Sequence, residues 1–594
     1  MAEQYRADVL VSCVHDRAPD FIPALEAEVK RRGLEGEVRV VEAGCRGFCS
    51  MGPVIMIEPD GIFYVGLKAA DVPELVEETL VKGRVVERLT YKEPTTHACI
   101  SYCRDIPFYN KQERIVLRHC GMIDPESIEE YIAIDGYQAL SKVLMSMTPE
   151  EVIEELKKSG LRGRGGAGFS TGRKWESARG AEGEIKYVLA NGDEGDPNCF
   201  MDRALMEADP YSILEGMTIG AYVMGAHHGF VYIPFEHTGS VRSMKNAIQQ
   251  AQEYGLLGQD ILGSGFDFDV ELRLGAHSFV GGESTALMHA VEGKVSEPRP
   301  KHYHTTEKGV WDRPSCLNNV KTWNIVPAII NRGADWFASI GTETSKGTQV
   351  FSLAGKVNNV GLAEVPMGIT VQELVFDVGG GVPEGREFKA LQIGGPSGGF
   401  LPTDLLDMPM DYETLAEAGS MMGTGGVVIL DDRSCVVDTA RYFLDFLRDE
   451  SCGKCTSCRE GIRRMLEILT RITEGEGKLE DLDTLERLGR VVKAVSLCGL
   501  GKTAPNPVLS TLRYFRDEYV AHIVDHKCPA GVCKALIEYY IDEEKCTGCG
   551  LCLRKCPQEA ISGEKKEPHV IDSELCIRCG VCFDVCKFDA VGVR

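Results

Sequence analysis

The sequence lacks any apolar run close to the ~20 residues that a membrane-spanning helix needs. It also lacks an apolar core to its first residues, where Met1 to Leu10 include Glu3, Arg6 and Asp8. No secretory leader is expected, and an intracellular, cytoplasmic protein is the expectation. A basic footprint is missing as well. Lys and Arg number 65 against 89 Asp and Glu, a formal net charge of −24. That balance argues against a nucleic-acid binder and favours solubility and cationic partners. Cysteine, in contrast, is plentiful at 23. In an intracellular protein so many cysteines speak against a disulfide framework and for metal ligands or catalytic thiols. Most lie from Cys435 onward, so the C-terminal third is where metal is expected.

The 594 residues are 43% hydrophobic and 26% charged, ordinary for soluble globular protein and enough for about four domains. Residues 1–95 read as a small α/β unit: strands over 6–11 and 37–41, a helix over 21–32, a hairpin of 54–57 and 62–65 around Pro59-Asp60-Gly61, and a helix over 71–81. The polar stretch 91–96 reads as a linker. Residues 110–340 alternate helical and strand patterns, the mark of an α/β domain. Here Thr148 as N-cap, Pro149 at the first helical position and Glu151 closing a capping box predict a helix that Gly160 ends. A strand over 186–190 runs into Asn191-Gly192-Asp193-Glu194. Residues 345–425 read as a β-rich domain, with strands over 349–354 and 389–393 and many glycines. Residues 430–525 read as helical, with Ile462, Met465, Leu466 and Leu469 at helical spacing. The tail, 526–594, holds an internal repeat.

That repeat carries the clearest chemistry. Cys546, Cys549, Cys552 and Cys556 are spaced C-x2-C-x2-C-x3-C with Pro557 following, and Cys576, Cys579, Cys582 and Cys586 repeat the spacing 30 residues on. This is the two-cluster bacterial ferredoxin arrangement, in which the fourth cysteine of each run crosses to the other [4Fe–4S] cluster. One cluster then takes Cys546, Cys549, Cys552 and Cys586, and the other Cys576, Cys579, Cys582 and Cys556. Zinc, the alternative, usually pairs two C-x2-C units rather than two triplets. A further triplet, Cys452, Cys455 and Cys458, with a distant Cys498, gives a third [4Fe–4S] pattern. His522, Cys528 and Cys533 form a partial zinc set, with Cys435 available as a fourth ligand. Buried free thiols are the alternative there.

The segments Glu450-Ser451-Cys452-Gly453-Lys454-Cys455 and Ser496 to Pro507 closely resemble the flavoprotein subunit of respiratory complex I (NADH:quinone oxidoreductase) and its soluble relatives. The resemblance runs over about residues 110–525. It includes the glycine-rich loop Gly160 to Phe169, in which Gly163, Gly165 and Gly168 match G-x-G-x-x-G. Because this loop follows a helix rather than a strand, it is no ordinary Rossmann fingerprint. The resemblance implies an FMN and nicotinamide site built from Gly163, Arg164, Gly165, Gly166, Ala167, Gly168, Lys174, Asn191, Asp193, Glu194, Phe200, Gly282, Glu283, Ser284, Asn318 and Asn319. Lys174 can neutralise the FMN phosphate, the asparagines can bond flavin or ribityl groups, and Glu194 would act beside the nicotinamide. The implied architecture is multidomain α/β and α+β. It comprises a thioredoxin-like N-terminal domain, a Rossmann-like FMN and nucleotide domain, a small ubiquitin-like β-rich domain, a helical [4Fe–4S] bundle and a two-cluster ferredoxin tail.

Three departures from the family bear on nucleotide choice. The family usually has Gly-Glu-Glu-Thr where this chain has Gly282-Glu283-Ser284-Thr285, and Pro-Pro-aromatic-Pro-Ala where it has Lys301-His302-Tyr303-His304-Thr305. Lys321 replaces the usual Glu after Asn-Asn-Val. An acid beside the adenosine ribose favours NAD, whereas a nearby base admits NADP, so a preference for NADP(H) over NAD(H) is expected. Near the N-terminus, Cys45 and Cys49 resemble the second ligand pair of thioredoxin-like [2Fe–2S] domains. Of the first pair only Cys13 is present, Ala18 standing where its partner is expected; Cys99 or Cys103 is left as a fourth ligand, and a vestigial docking domain is the alternative.

The domain set is similar to the flavoprotein subunit of soluble electron-bifurcating [FeFe]-hydrogenases and of related formate dehydrogenase complexes, whose likeness also suggests the structural zinc. The implied function is hydride exchange with NADP(H) or NAD(H) at FMN, and single-electron transfer through three [4Fe–4S] clusters to ferredoxin or to a hydrogenase or formate dehydrogenase partner. A small thioredoxin-like [2Fe–2S] subunit would complete a hetero-oligomer; neither nucleic acid nor membrane is an expected partner. A stand-alone NAD(P)H:ferredoxin reductase and a non-catalytic relay subunit are the alternatives.

Overall fold

The computed structural model describes residues 5–12, 18–300 and 302–594. They form two compact units: one from the chain up to Ile429 together with Leu497–Gly499, the other from Leu430–Ser496 together with Leu500–Arg594. Among the described residues no helix is long and apolar enough to cross a membrane.

The first unit holds three sheets. The N-terminal one has the strand order Val38–Glu42, Ala7–Ser12, Val54–Glu58, Ile62–Tyr64, with the first pair parallel and the others antiparallel. Alternation along these strands splits their side chains between two cores. Val9, Val11, Ile55 and Ile57 pack on Phe21 and Leu25 of the crossover helix Phe21–Arg31. Leu10, Val41, Met56 and Phe63 point the other way and share a core with Phe351, Leu353 and Val365 of the five-stranded sheet. The expected linker at 91–96 is corrected by the same packing. Tyr91–Lys92 pairs with Cys99–Ile100, and the buried Tyr91 hydroxyl donates to Asn359 Oδ1 at 3.1 Å. An aromatic residue with a core to enter overrode its polar neighbours.

The second sheet is wholly parallel, in the order Ser315–Asn319, Tyr187–Asn191, His228–Pro234, Asp269–Gly275. Helices cover both faces. Val188, Ala190, Val231 and Ile233 face the main core, which includes the helix Pro210–Met224, while Leu189, Phe230 and Leu317 face Leu287, Met288 and Val291. Parallel strands buried on both faces read as continuous apolar runs, as these do. The helix Pro149–Ser159 starts with the Thr148–Glu151 capping box and stops at Gly160, whose φ of 69° is left-handed. The third sheet has the order Gly361–Pro366, Thr348–Gly355, Gly426–Asp431, Phe388–Ile393, Gly399–Pro402.

The second unit begins with helices Val436–Asp449, Thr456–Thr473, Leu479–Val495, Asn506–Tyr514 and Arg516–Ile523. Its tail is pseudo-symmetric. Tyr539–Ile541 pairs with Val591–Val593, and Ile561–Ser562 with Val570–Ile571. The two halves repeat their turns: Cys546 N donates to Asp542 O and Cys576 N to Asp572 O, each at 3.0 Å.

Candidate functional site

In an open parallel sheet, ligands are received at the carboxyl ends of the strands. The strand Tyr187–Asn191 delivers Asn191, Asp193 and Glu194 to that edge, and the strand Ser315–Asn319 delivers Asn318 and Asn319 beside them. The loop of Gly163 to Gly168 lies against the second of these. It is pinched shut by Gly163 N donating to Phe169 O at 2.8 Å. Gly165 comes so near that a Cβ there would sit 3.1 Å from Asn319 Cβ, and Gly166 takes φ 112°, beyond the reach of most side chains. Gly165 and Ala167 are exposed, so the loop presents bare backbone.

Arg164 anchors the loop. Its guanidinium is buried and donates to the carbonyls of Arg162, Lys346 and Thr348, and its backbone N–H is taken by Thr322 Oγ1. Lys174, half-buried on the helix Thr171–Gly180, donates to the Leu317 carbonyl at 2.9 Å and has no carboxylate partner among the described residues. Loss of hydration pushes its proton affinity down, opposed only by the Cys316 thiol.

The asparagine amides are largely committed within the protein. Asn191 Nδ2 donates to Gly282 O at 2.9 Å, and its Oδ1 accepts from Asp193 N at 2.9 Å. Asn318, oriented to satisfy both amide atoms, accepts from Trp175 Nε1 at 2.9 Å. Asn319 Oδ1 caps the helix Val320–Arg332 through Lys321 N, while its Nδ2 donates to Asp202 Oδ2 at 2.5 Å. Glu194 is buried and accepts from Asp202 N (2.9 Å) and Arg203 N (3.0 Å) at the start of the helix Met201–Ala208, which follows Phe200. Burial and the Asp202 carboxylate push Glu194 up to about 8, with the Lys321 ammonium opposing.

Lys321 itself corrects a second expectation. It is wholly buried, its Nζ 2.5 Å from Asp202 Oδ1, so it cannot greet a nucleotide phosphate from the surface. An ammonium left without water is held only by a paired charge, and Asp202 supplies it. Ser284 begins the helix Ser284–Val291 and is half-buried, while Glu283 caps that helix by accepting from Thr285 N at 2.8 Å and Ala286 N at 3.1 Å. Gly282 precedes it, receiving the Asn191 amide.

Two glycine turns of the β-rich region close over this edge, and neither was expected to take part. Gly423 bridges Gly166. A Cβ on Gly395 would sit 2.6 Å from the Asp196 carboxylate, whose Oδ2 accepts from Thr424 Oγ1 at 2.6 Å. The signal was present in the runs Gly394-Gly395-Pro396-Ser397-Gly398-Gly399 and Gly423-Thr424-Gly425-Gly426, since repeated glycine in a β region marks close backbone approach.

The cysteines gather in sets. One cavity of the tail is lined by Cys546, Cys549, Cys552 and Cys586, and a second by Cys556, Cys576, Cys579 and Cys582. Cys435, His522, Cys528 and Cys533 are all buried, with one donor atom of each within 4.8 Å of the others. Cys435 Sγ lies 3.3 Å from His522 Nε2 and 3.7 Å from Cys533 Sγ, and His522 Nδ1 is 2.7 Å from the Glu518 carbonyl. Cys452 and Cys455 precede the helix Thr456–Thr473 and Cys458 lies in its first turn, 3.3 Å from Ser451 Oγ; Cys498 belongs to the short segment Leu497–Gly499. Near the N-terminus, Cys45 and Cys49 lie 3.7 Å apart. Cys103 is buried and takes the Arg46 guanidinium at 3.6 Å, Cys99 is exposed, and Cys13 lies outside the described residues.

Three regions of the chain match known families. Residues 156–328 match the Nuo51 FMN-binding domain, 438–522 the NADH-ubiquinone oxidoreductase-F iron-sulfur binding region, and 539–593 a 4Fe-4S dicluster domain. The chain is 58% identical over 481 residues to the HndC subunit of the NADP-reducing hydrogenase of Solidesulfovibrio fructosivorans, covering 81% of this chain and 98% of that one. It is 43% identical over 417 residues to the F 2 subunit of the NADH-quinone oxidoreductase of Rhizobium meliloti, covering 70% and 99%. The chain belongs to the family of FMN-binding flavoprotein subunits that NADH-quinone oxidoreductases and these hydrogenases share. This family member is an oxidoreductase of the FMN and iron–sulfur type. Its fold is also that of a solved NAD+-reducing [NiFe]-hydrogenase in the H2-reduced state, with TM-score 0.62 and 25% identity over 87% of this chain and 84% of that chain.

Proposed function

We propose that this flavoprotein exchanges hydride with NADP(H), and less readily with NAD(H), and feeds single electrons through three [4Fe–4S] clusters to ferredoxin and to a hydrogenase-type partner. The observation that carries this reading is Lys174: an ammonium whose one side-chain partner among the described residues is a carbonyl, beside a loop of bare backbone, inside the FMN-binding match. A phosphate monoester suits it, because an anion would restore what lost hydration removed. When bound, FMN supplies the conversion between a two-electron hydride and single electrons. The chain's own part is to hold it. Lys174 takes the phosphate, the backbone of Gly163, Gly165, Gly166, Ala167 and Gly168 admits the ring closely, and Glu194 holds a proton at the nicotinamide side. Asn191, Asp193, Phe200, Gly282, Glu283, Asn318 and Asn319 shape the walls.

The cysteine-lined cavities of the tail suit two cubanes with crossed fourth ligands, and Cys452, Cys455, Cys458 and Cys498 supply the third. Cys435, His522, Cys528 and Cys533 suit zinc. Tetrahedral bonds of about 2.3 Å to sulfur and 2.0–2.1 Å to nitrogen require donor separations of about 3.8 Å (S–S) and 3.6 Å (S–N), near the 3.7 and 3.3 Å observed. The Glu518 carbonyl fixes the tautomer that leaves Nε2 for the metal. The first sheet is read as a thioredoxin-like module in which Cys45 and Cys49 are half of a [2Fe–2S] set, and the five-stranded sheet as ubiquitin-like. Partners are a hydrogenase or formate dehydrogenase catalytic subunit and a small thioredoxin-like [2Fe–2S] subunit, with bifurcation between two acceptors.

NADP preference rests on Ser284, which removes an acid from the ribose side, and on the likeness to a protein of a NADP-reducing hydrogenase. Steady-state kinetics with both nucleotides test it. Ser284→Glu is expected to lower kcat/KM for NADPH at least tenfold while leaving that for NADH nearly unchanged. An NADH preference in the unmodified protein would overturn the assignment.

A further inference from the structure

The buried charges beneath the strand edge form a cluster of their own. Lys321 enters from the helix Val320–Arg332 and Asp202 from the helix Met201–Ala208. Asp202 spends one oxygen on Lys321 Nζ and the other on Asn319 Nδ2, each at 2.5 Å. Asn319 Nδ2 also reaches the Asn191 carbonyl at 3.3 Å, so the pair braces the ends of the edge strand Ser315–Asn319 and its neighbour Tyr187–Asn191. Glu194 is bound to the same helix start through Asp202 N and Arg203 N. None of Glu194, Asp202 and Lys321 has more than 4% of its surface exposed.

Two carboxyls this deeply buried and this close cannot both ionise without a counter-charge. We propose that Lys321 is a positioning residue of the flavin and nicotinamide site: it clamps Asp202 onto Asn319 and supplies the buried positive charge that lets Glu194 ionise. The role of Glu194 at the nicotinamide rests on the function proposed above; the link between Lys321 and Glu194 does not. Other groups facing the cluster are Asp196 and Cys199, from the turn before the Met201 helix, and His237, from the loop after the strand His228–Pro234. Asp196 and Cys199 carry no positive charge, and burial disfavours the charged form of His237. Arg203 also faces the cluster but is exposed, so among the described residues Lys321 is the buried cation beside the acids.

The test uses the FMN- and cluster-loaded protein without nucleotide, followed by pH-difference infrared spectroscopy of the protonated carboxyl band. Glu194→Gln identifies the Glu194 band by removing it. Lys321→Met is expected to move the midpoint of that band alkaline by about one pH unit, a tenfold rise in proton affinity. Lys321→Met/Asp202→Asn, which takes away both neighbouring charges, is expected to move it acid of the unmodified protein. The opposite signs separate an electrostatic role from general loosening, and the double variant decides the matter if the single one does not fold. A midpoint unmoved in the folded variant, or no band removed by Glu194→Gln, overturns the proposal. Because no nucleotide is added, a failure of NAD(P)H to reduce the protein would strike the proposed function and leave this result readable.

Discussion

Lys174 and Glu194 stand at opposite extremes of the same physics. Burial works against the charge of each, and each has been given one kind of compensation. Under the proposed function that compensation for Lys174 is a ligand anion, so Lys174→Met is expected to weaken FMN binding. A charge-assisted hydrogen bond is worth about 1.5–3 kcal/mol, or roughly 10- to 100-fold in affinity; quenching of flavin fluorescence on titrating FMN into flavin-stripped protein measures it. For Glu194, pushed up to about 8, the sign is the reverse of a salt-bridged acid. Between about pH 4.5 and pH 8 the native protein binds a proton that the unfolded chain has released, so this residue makes stability fall as pH rises through that window. Glu194→Gln removes the effect. It is expected to be more resistant to denaturant than the unmodified protein at pH 8, with the difference gone at pH 4, while activity is lost. Equal denaturation midpoints at both pH values would contradict the shift. The gathering of Asn191, Glu194, Asn318 and Asn319 at one strand edge was legible from the family's motif order. Arg164 and Lys321 were not. The resemblance placed them beside cofactor and nucleotide, and only the packing shows that one ties down a loop and the other balances Asp202.

At the scale of elements, the grouping of the tail cysteines was legible from their spacing, because ligand spacing is itself a structural constraint. The crossing of fourth ligands makes a sharp prediction. If Cys556 serves the cluster of the second triplet, Cys556→Ala/Cys576→Ala should lose no more iron than either single change, about four atoms. Cys556→Ala/Cys546→Ala should lose about eight. Iron analysis of the purified variants distinguishes the two, and equal losses would refute the crossing. The zinc set makes another. Cys528→Ala, or removal of the metal by chelation, should release one zinc per chain. It should also lower the melting temperature of the second unit by roughly 4 °C or more, if the metal contributes at least about 2 kcal/mol. Unchanged zinc content would remove it. Helix limits were readable where caps were written plainly, as at Thr148 and Gly160. The stretch 91–96 was not, because its fate depends on a core contributed by residues some 270 positions away. The glycine turns at Gly394-Gly395 and Gly423-Thr424 were missed for a related reason. Glycine runs announce close approach without saying what approaches.

For the whole molecule, the sequence conveys a string of redox centres better than it conveys their housing. The −24 net charge was in view from composition, the two iron–sulfur regions from cysteine spacing, and the FMN-binding region from the family resemblance. The sharing of one core between the N-terminal sheet and the five-stranded sheet was not, since both read as independent modules. Leu10 and Phe63 face away from their own helices for a reason that no local pattern records. The central claim is that one chain takes hydride from a nicotinamide and passes electrons one at a time into its clusters. The measurement that tests it most directly is an anaerobic absorbance titration of the purified protein, with FMN and iron quantified, against NADPH and NADH separately. The account predicts that NADPH bleaches both flavin and cluster absorbance, and does so at lower concentration than NADH. A fully loaded protein that neither nucleotide bleaches would contradict it and leave a relay without catalysis of its own.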